Sequence, residues 1–230
     1  MPLNKTKGNM YDWITHTWPV GRGCAHDCSY CYVKSIPGSD IGTHFIPQAK
    51  PDLGRDKTIF VGNCIDLFSE EMDSRDIESV LRHFQKYPLN RYVFQTKNPE
   101  RMYGYLSAMP QAMPGQSILG TTIESDDAAL LAKHSKAPEP TQRALWIGSC
   151  KDAGFKTFLT IEPIMRCDPQ KLAALVVAAN PTWVNIGADS KNNNLPEPTP
   201  SEINVLITML KQNGFEIKLK PNLKRIYNLS

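Results

Sequence analysis

Short apolar runs alternate with longer amphipathic stretches along most of this chain. Thr58–Gly62, Arg91–Thr96, Ser117–Thr122, Lys156–Ile161 and Trp183–Gly187 are rich in β-branched or aromatic residues, the reading of strands buried in a parallel sheet. Asp12–Thr17 reads as a strand ahead of them, and Phe215–Leu219 as a weaker one behind. Between the runs the period lengthens. Asp73–Lys86 sets Ile77, Val80, Leu81 and Phe84 three and four residues apart and stops before Pro88, which gives one helical apolar stripe. Pro99–Ala108 opens on a proline, and Asp168–Ala179 on a capping aspartate followed by one, both signatures of a first turn. Ser201–Gln212 reads as a helix capped by Ser201 and closed by Asn213-Gly214. Strands alternating with helices predict βαβ units, an α/β fold with a parallel sheet. A full eight-unit barrel takes about 250 residues. The 230 residues here therefore predict a partial (βα)6-type TIM barrel of six or seven units.

No internal repeat or composition break divides the chain, so residues 1–230 read as one domain. The proline-rich stretches His134–Gln142 and Asn192–Pro200 read as surface loops. Residues 35–56 have no period and many Gly and Pro, the mark of a functional lid. A hydrophobic fraction of 41% and a charged fraction of 21% are ordinary for a globular protein. No apolar run approaches the roughly 20 residues of a bilayer span, and the first residues lack a secretory apolar segment. A cytoplasmic protein with no membrane partner is expected. The net charge of +3 equals that of residues 215–230, where Lys218, Lys220, Lys224 and Arg225 face Glu216 alone. This basic C-terminal segment either touches phosphates or is a solvated final strand.

Three of the six cysteines, Cys24, Cys28 and Cys31, crowd into eight residues, which suits a metal or cluster ligand set better than a disulfide framework. They follow the first predicted strand, on the face where barrels carry their active sites. Iron–sulfur clusters usually take four thiolates. Three leave one iron open to chelation by the amine and carboxylate of an amino acid. Gly21 and Gly23 let the backbone wrap closely. The competing reading is a zinc site completed by His26 or Cys64. Structural zinc usually joins two close cysteine pairs, and a second pair is missing.

The CxxxCxxC spacing with Tyr30 before the last cysteine resembles the signature of the radical S-adenosylmethionine superfamily. Thr17-Trp-Pro-Val, residues 60–68, Gln95–Met102, Leu119–Glu124, Phe158–Pro163, Trp183–Ser190 and Ile217–Lys220 resemble its phage Gp37/Gp68-type branch. Members of that branch often carry a longer insertion around the cysteines, absent here. The resemblance implies a [4Fe–4S] cluster on Cys24, Cys28 and Cys31, S-adenosyl-L-methionine as cofactor, and an electron donor such as flavodoxin or ferredoxin. It implies Tyr30 near the adenine and a glycine turn, Gly62-Asn63-Cys64-Ile65-Asp66, around the methionine moiety. Asp66 would meet the ammonium or cap the next helix. Thr122, Glu124 and Ser125 would meet the ribose. Glu162 and Asp189 would be ligand contacts or partners of Lys97. Cys64 is either a hydrogen donor or an inert core thiol, and Cys150 and Cys167 are too scattered for a second cluster. Tyr11, Trp13, Trp18, Tyr30 and Tyr32 either stack on a base or pack around the first strand. The substrate implied is a nucleic-acid base, with DNA as partner. The reaction implied is isomerisation of an N-linked glycine on a modified thymine to the C-linked form in phage DNA, in the host cytoplasm. The alternatives are a photoproduct-lyase-like repair enzyme and a zinc-binding nucleic-acid module without turnover.

Overall fold

The computed structural model describes residues 3–7, 10–36, 44–45, 50–108 and 115–228. Four short strands come first: β1 (Asn4–Lys5), β2 (His16–Trp18), β3 (Gly21–Arg22) and β4 (His44–Phe45). Alternation then sets in, with β5 (Thr58–Val61), α1 (Ser74–Phe84), β6 (Arg91–Thr96), α2 (Pro99–Ala108) and β7 (Ser117–Thr122). It continues through α3 (Ala128–Ala132), α4 (Pro140–Asp152), β8 (Lys156–Ile161), α5 (Pro169–Ala179) and β9 (Trp183–Ile186). The last elements are α6 (Pro200–Gln212) and β10 (Glu216–Leu219).

One sheet runs in the order β1-β2-β5-β6-β7-β8-β9-β10, with β1 antiparallel and each later pair parallel. Among the described residues β10 does not pair back to β1, so the α/β barrel is partial. Strand side chains alternate between two apolar layers. Ile59, Val61, Phe94, Leu119, Leu159 and Val184 pack outward under the helices, against Ile77, Leu81, Ile147, Val176 and Leu206. Phe60, Val93, Phe158 and Trp183 face the other way and close on Ile14, with Tyr11 and Trp13 against them.

That inner layer explains why β2 starts later than the apolar run predicts. Residues 11–14 turn, with Ile14 N donating to Tyr11 O at 3.1 Å, and deliver Trp13 edge-on to Trp183 at 5.3 Å and to Phe158 at 5.8 Å. Trp18 is buried beside His83. Both tryptophans are therefore packing residues.

Three other expectations change. The stretch read as a loop over residues 134–142 runs into α4, with Pro140 in the first turn, where a missing N–H costs nothing. Helix α6 is capped by Thr199 rather than Ser201, in a reciprocal capping box with Glu202. Of the expected lid, residues 37–43 and 46–49 lie outside the described residues. Residues 44–45 pair with β3. Residues 50–56 form a strap pinned by the fully buried Leu53 and by His83 Nε2 donating to Pro51 O at 2.8 Å. No described helix is long and apolar enough to cross a membrane.

Candidate functional site

The carboxyl ends of the parallel strands open onto a cavity of about 1110 Å³. Cys24, Cys28 and Cys31 all line it, together with Tyr30 and Tyr32 of the same loop. From the loop after β5 come Gly62, Asn63, Cys64 and Asp66, and from later strand ends Thr122 and Glu162. Glu124 and Ser125 lie behind the wall, fully buried.

The cysteine loop leaves β2, passes through the β3–β4 ribbon and turns at Gly23 with φ 78°. Gly62 makes the facing turn with φ 79°, and a Cβ there would lie 3.0 Å from Ile65 O. Both are left-handed positions that a side chain disfavours. Burial and then the nearby Asp66 carboxylate push the Cys24 thiol up to about 12. Such a thiol is a poor nucleophile, and a metal that takes its sulfur displaces its proton.

Asp66 is the knot of this region. Its carboxylate accepts from His26 Nε2 (3.0 Å), Thr96 Oγ1 (2.6 Å), Lys97 N (2.8 Å) and Phe68 N (3.0 Å). Burial alone would raise its pKa, and His26 and these donors outweigh burial and hold it low. The group expected to meet an ammonium is thus already engaged in joining the cysteine loop to the ends of β5 and β6. Beside it Asn63 Oδ1 is buried without a partner among the described residues, while Asn63 Nδ2 lies 3.3 Å from Cys64 Sγ. This free acceptor has no sequence signal of its own.

Behind the wall Glu124 collects three partners. Tyr30 donates its hydroxyl at 2.5 Å, Lys97 Nζ sits at 3.1 Å and Arg143 Nη1 at 2.8 Å. Burial raises the Glu124 carboxyl, but Lys97 and Arg143 prevail and bring it to about 2. Lys97 lies over the Tyr30 ring at 5.6 Å, and burial plus Glu124 drives the Tyr30 phenol far up. Lys97, not Glu124, faces the cavity. The sequence left Glu162 and Asp189 as ligand contacts or as partners of Lys97. Instead Glu162 pairs with Lys220 at 2.6 Å, and Asp189 accepts from Lys191 N and Asn193.

The remaining expected residues have local partners. Thr122 Oγ1 accepts from Gln95 Nε2 at 2.9 Å on the cavity floor, where the Tyr11 hydroxyl meets Gln95 and Thr160. Ser125 Oγ donates to Arg166 O and accepts from Asp127 N, so it shapes a turn. Burial raises the Cys64 thiol. The Tyr32 hydroxyl donates to Asn63 O.

Cys24, His26 and Asp66 present ligand atoms within 4.8 Å of one another. For a single ion that set is poor, because its imidazole and carboxylate are bonded to each other and to the fold. Three thiols of one loop on the wall of a roomy cavity fit a cluster with one open iron. The fold also has counterparts among solved structures. No protein-family model matches the sequence, and comparison with curated proteins gives no match.

The fold is that of spore photoproduct lyase. Spore photoproduct lyase complexed with dinucleoside spore photoproduct superposes with a TM-score of 0.66 at 11% identity, over 92% of this chain and 78% of that one. A mutant of it with bound AdoMet and dinucleoside spore photoproduct gives 0.58 at 14%, over 89% and 63%. Streptococcus suis SuiB bound to the precursor peptide SuiA gives 0.60 at 10%, over 89% of this chain and 48% of that one. At these identities the likeness is one of fold, and it carries no residue across.

Proposed function

We propose that this chain is a radical S-adenosylmethionine enzyme acting on a nucleic-acid base. The observation that carries the reading is the convergence of Cys24, Cys28 and Cys31 on one large cavity at the carboxyl ends of parallel strands. When bound, a [4Fe–4S] cluster with S-adenosylmethionine would supply one-electron reductive chemistry and hydrogen-atom abstraction from the substrate.

The protein's own part is to bind, orient and exclude water. The thiolates of Cys24, Cys28 and Cys31 would hold the cluster. The Gly62 turn lets the backbone approach the methionine moiety, and Asn63 Oδ1 offers the acceptor that Asp66 no longer has. Lys97 presents the cation for a carboxylate, held by Glu124, and Tyr30 and Thr122 remain for the nucleoside. A volume of about 1110 Å³ exceeds what one drug-sized ligand fills and leaves room for a base beside the cofactor. Solved structures of this fold hold AdoMet and a dinucleoside photoproduct, which supports both halves of the proposal.

Within this class the branch resemblance favours isomerising an N-linked glycine on thymine in phage DNA, with electrons from a flavodoxin or ferredoxin. Cys64 favours a second reading, a lyase-like repair reaction, because a protonated thiol on the cavity wall is a hydrogen donor. Deuterium passing from the thiol to product, and lost in Cys64→Ala, selects the lyase. A rearranged product without such transfer selects the isomerase. The primary test is anaerobic reconstitution with iron and sulfide, then S-adenosylmethionine and dithionite. We expect 5′-deoxyadenosine from the wild type and none from the Cys24, Cys28 or Cys31 alanine variants. Tightly bound zinc with no product would reject the proposal.

A further inference from the structure

The turn after α3 meets the cysteine loop at one atom pair that nothing above uses. Ser135 Oγ lies 3.2 Å from Cys28 Sγ, across 107 residues of sequence. The two segments are fastened on either side of this contact. Ser29 N donates to His134 O at 2.8 Å, and Lys136 N to His26 O at 2.7 Å. Ser29 Oγ meets His134 Nδ1 at 2.9 Å. Ser135 itself is tied back by its own N–H to Leu131 O at 2.9 Å. Its hydroxyl is therefore held against the sulfur by backbone, whatever occupies the cavity.

Building on the cluster reading above, we propose that the Ser135 hydroxyl donates to the Cys28 thiolate and raises the reduction potential of the cluster. A serine hydroxyl has one proton and two lone pairs. Ala137 N donates to Oγ at 3.1 Å, which occupies a lone pair and leaves the proton two destinations. These are Cys28 Sγ and His26 O, the latter at 3.3 Å. A thiol competes weakly for that proton. A cluster thiolate accepts only and carries negative charge, and bonds to charged acceptors are the stronger ones. His26 O loses nothing, because Lys136 N already satisfies it. Hydrogen bonds to the ligand sulfurs are among the factors that set an iron–sulfur potential. This one stabilises the reduced, more negative cluster over the oxidised one.

The test is a redox titration of the anaerobically reconstituted full chain, followed by the electron paramagnetic resonance of the reduced cluster. Iron and sulfide are counted per chain in wild type, Ser135→Ala and Ser135→Thr. We expect S135A to hold the same cluster with a lower midpoint. Its reduced-to-oxidised ratio at fixed potential should fall about tenfold, which is 59 mV for a one-electron couple. The threonine variant should return toward wild type. A loaded S135A with an unchanged midpoint overturns the tuning role and leaves the enzymatic reading intact. Loss of cluster from S135A makes Ser135 a mere fastening of the loop and also overturns it. A wild type that takes up zinc and no cluster brings down both.

Discussion

Two buried carboxylates organise the site, and each yields a prediction. Asp66 accepts four hydrogen bonds from three segments. Asp66→Asn replaces one oxygen by a donor that faces donors. We expect a stability loss of about 1–3 kcal/mol, the cost of unsatisfied buried groups, together with a lower iron content after reconstitution. Were Asp66 instead the ammonium contact, thermal stability and iron would hold and only the KM for S-adenosylmethionine would rise. Calorimetry and iron analysis on one preparation separate the two.

Glu124 stands between Lys97 and Arg143 with its own side chain fully buried. Glu124→Gln strands the buried Arg143 and leaves the partly exposed Lys97 unpaired, and breaking a buried pair costs about 3–5 kcal/mol, measurable by urea unfolding. The pH dependence has a definite sign. The folded carboxyl lies at about 2, below its ordinary 4.5. Its contribution is whole above about pH 4.5 and is lost as the pH falls through 2. Lys97 moves the other way. Burial lowers its pKa, but the Glu124 charge outweighs burial and raises it, so its contribution is full below its ordinary value and is lost only at strongly alkaline pH. Acid unfolding that is displaced in E124Q relative to wild type checks the carboxylate half.

At the scale of elements, the strands were the most legible feature. β6, β7 and β8 begin and end where their runs rich in β-branched and aromatic residues do, because such residues suit a buried strand. Helix α1 was equally plain from its single stripe. Helix α4 was not. Pro138 before it and Pro140 at its start looked like breakers, and apolar Leu145, half exposed, sits among buried Ala144 and Ile147, so no stripe stands out. The site was legible in the same uneven way. Cys24, Cys28 and Cys31 announce themselves by spacing, whereas Tyr30–Glu124 and Cys28–Ser135 are 94 and 107 residues apart. No local pattern encodes such partners; they exist only once β7 and α3 dock beside the cysteine loop. Helix α6 offers a control, since none of its residues lines the cavity. Thr199→Ala removes its capping box and should cost about 1 kcal/mol in urea unfolding while leaving iron content unchanged. A fall in iron there would mean that cluster loading simply follows global stability, and the Asp66 result would lose its force.

For the whole molecule the decisive quantity is where unbalanced charge meets the cavity. The basic C-terminal segment could be read as a phosphate contact or as a solvated final strand; Lys220 is paired with Glu162, Arg225 with Glu197 and Lys218 with Glu216. Lys5, Lys7 and Lys191 instead line the cavity, and none has an ion-pair partner among the described residues. A strand of nucleic acid entering with a base toward the cysteines would lay its phosphates along these three. Each phosphate neutralised on a single strand adds about 0.7 to the slope of log affinity against log salt. Joint replacement of Lys5, Lys7 and Lys191 by alanine should then lower that slope by about 2 for a single-stranded oligonucleotide. Iron content should not change, because none of the three forms a hydrogen bond or ion pair with the cysteine loop among the described residues. Replacing Lys218, Lys224 and Arg225 together should barely move the slope, since two of these cations are already balanced inside the chain. An unchanged slope in the first variant would remove the electrostatic support for a nucleic-acid substrate. A peptide, the kind of partner SuiB holds on this same fold, would then be the substrate class to pursue.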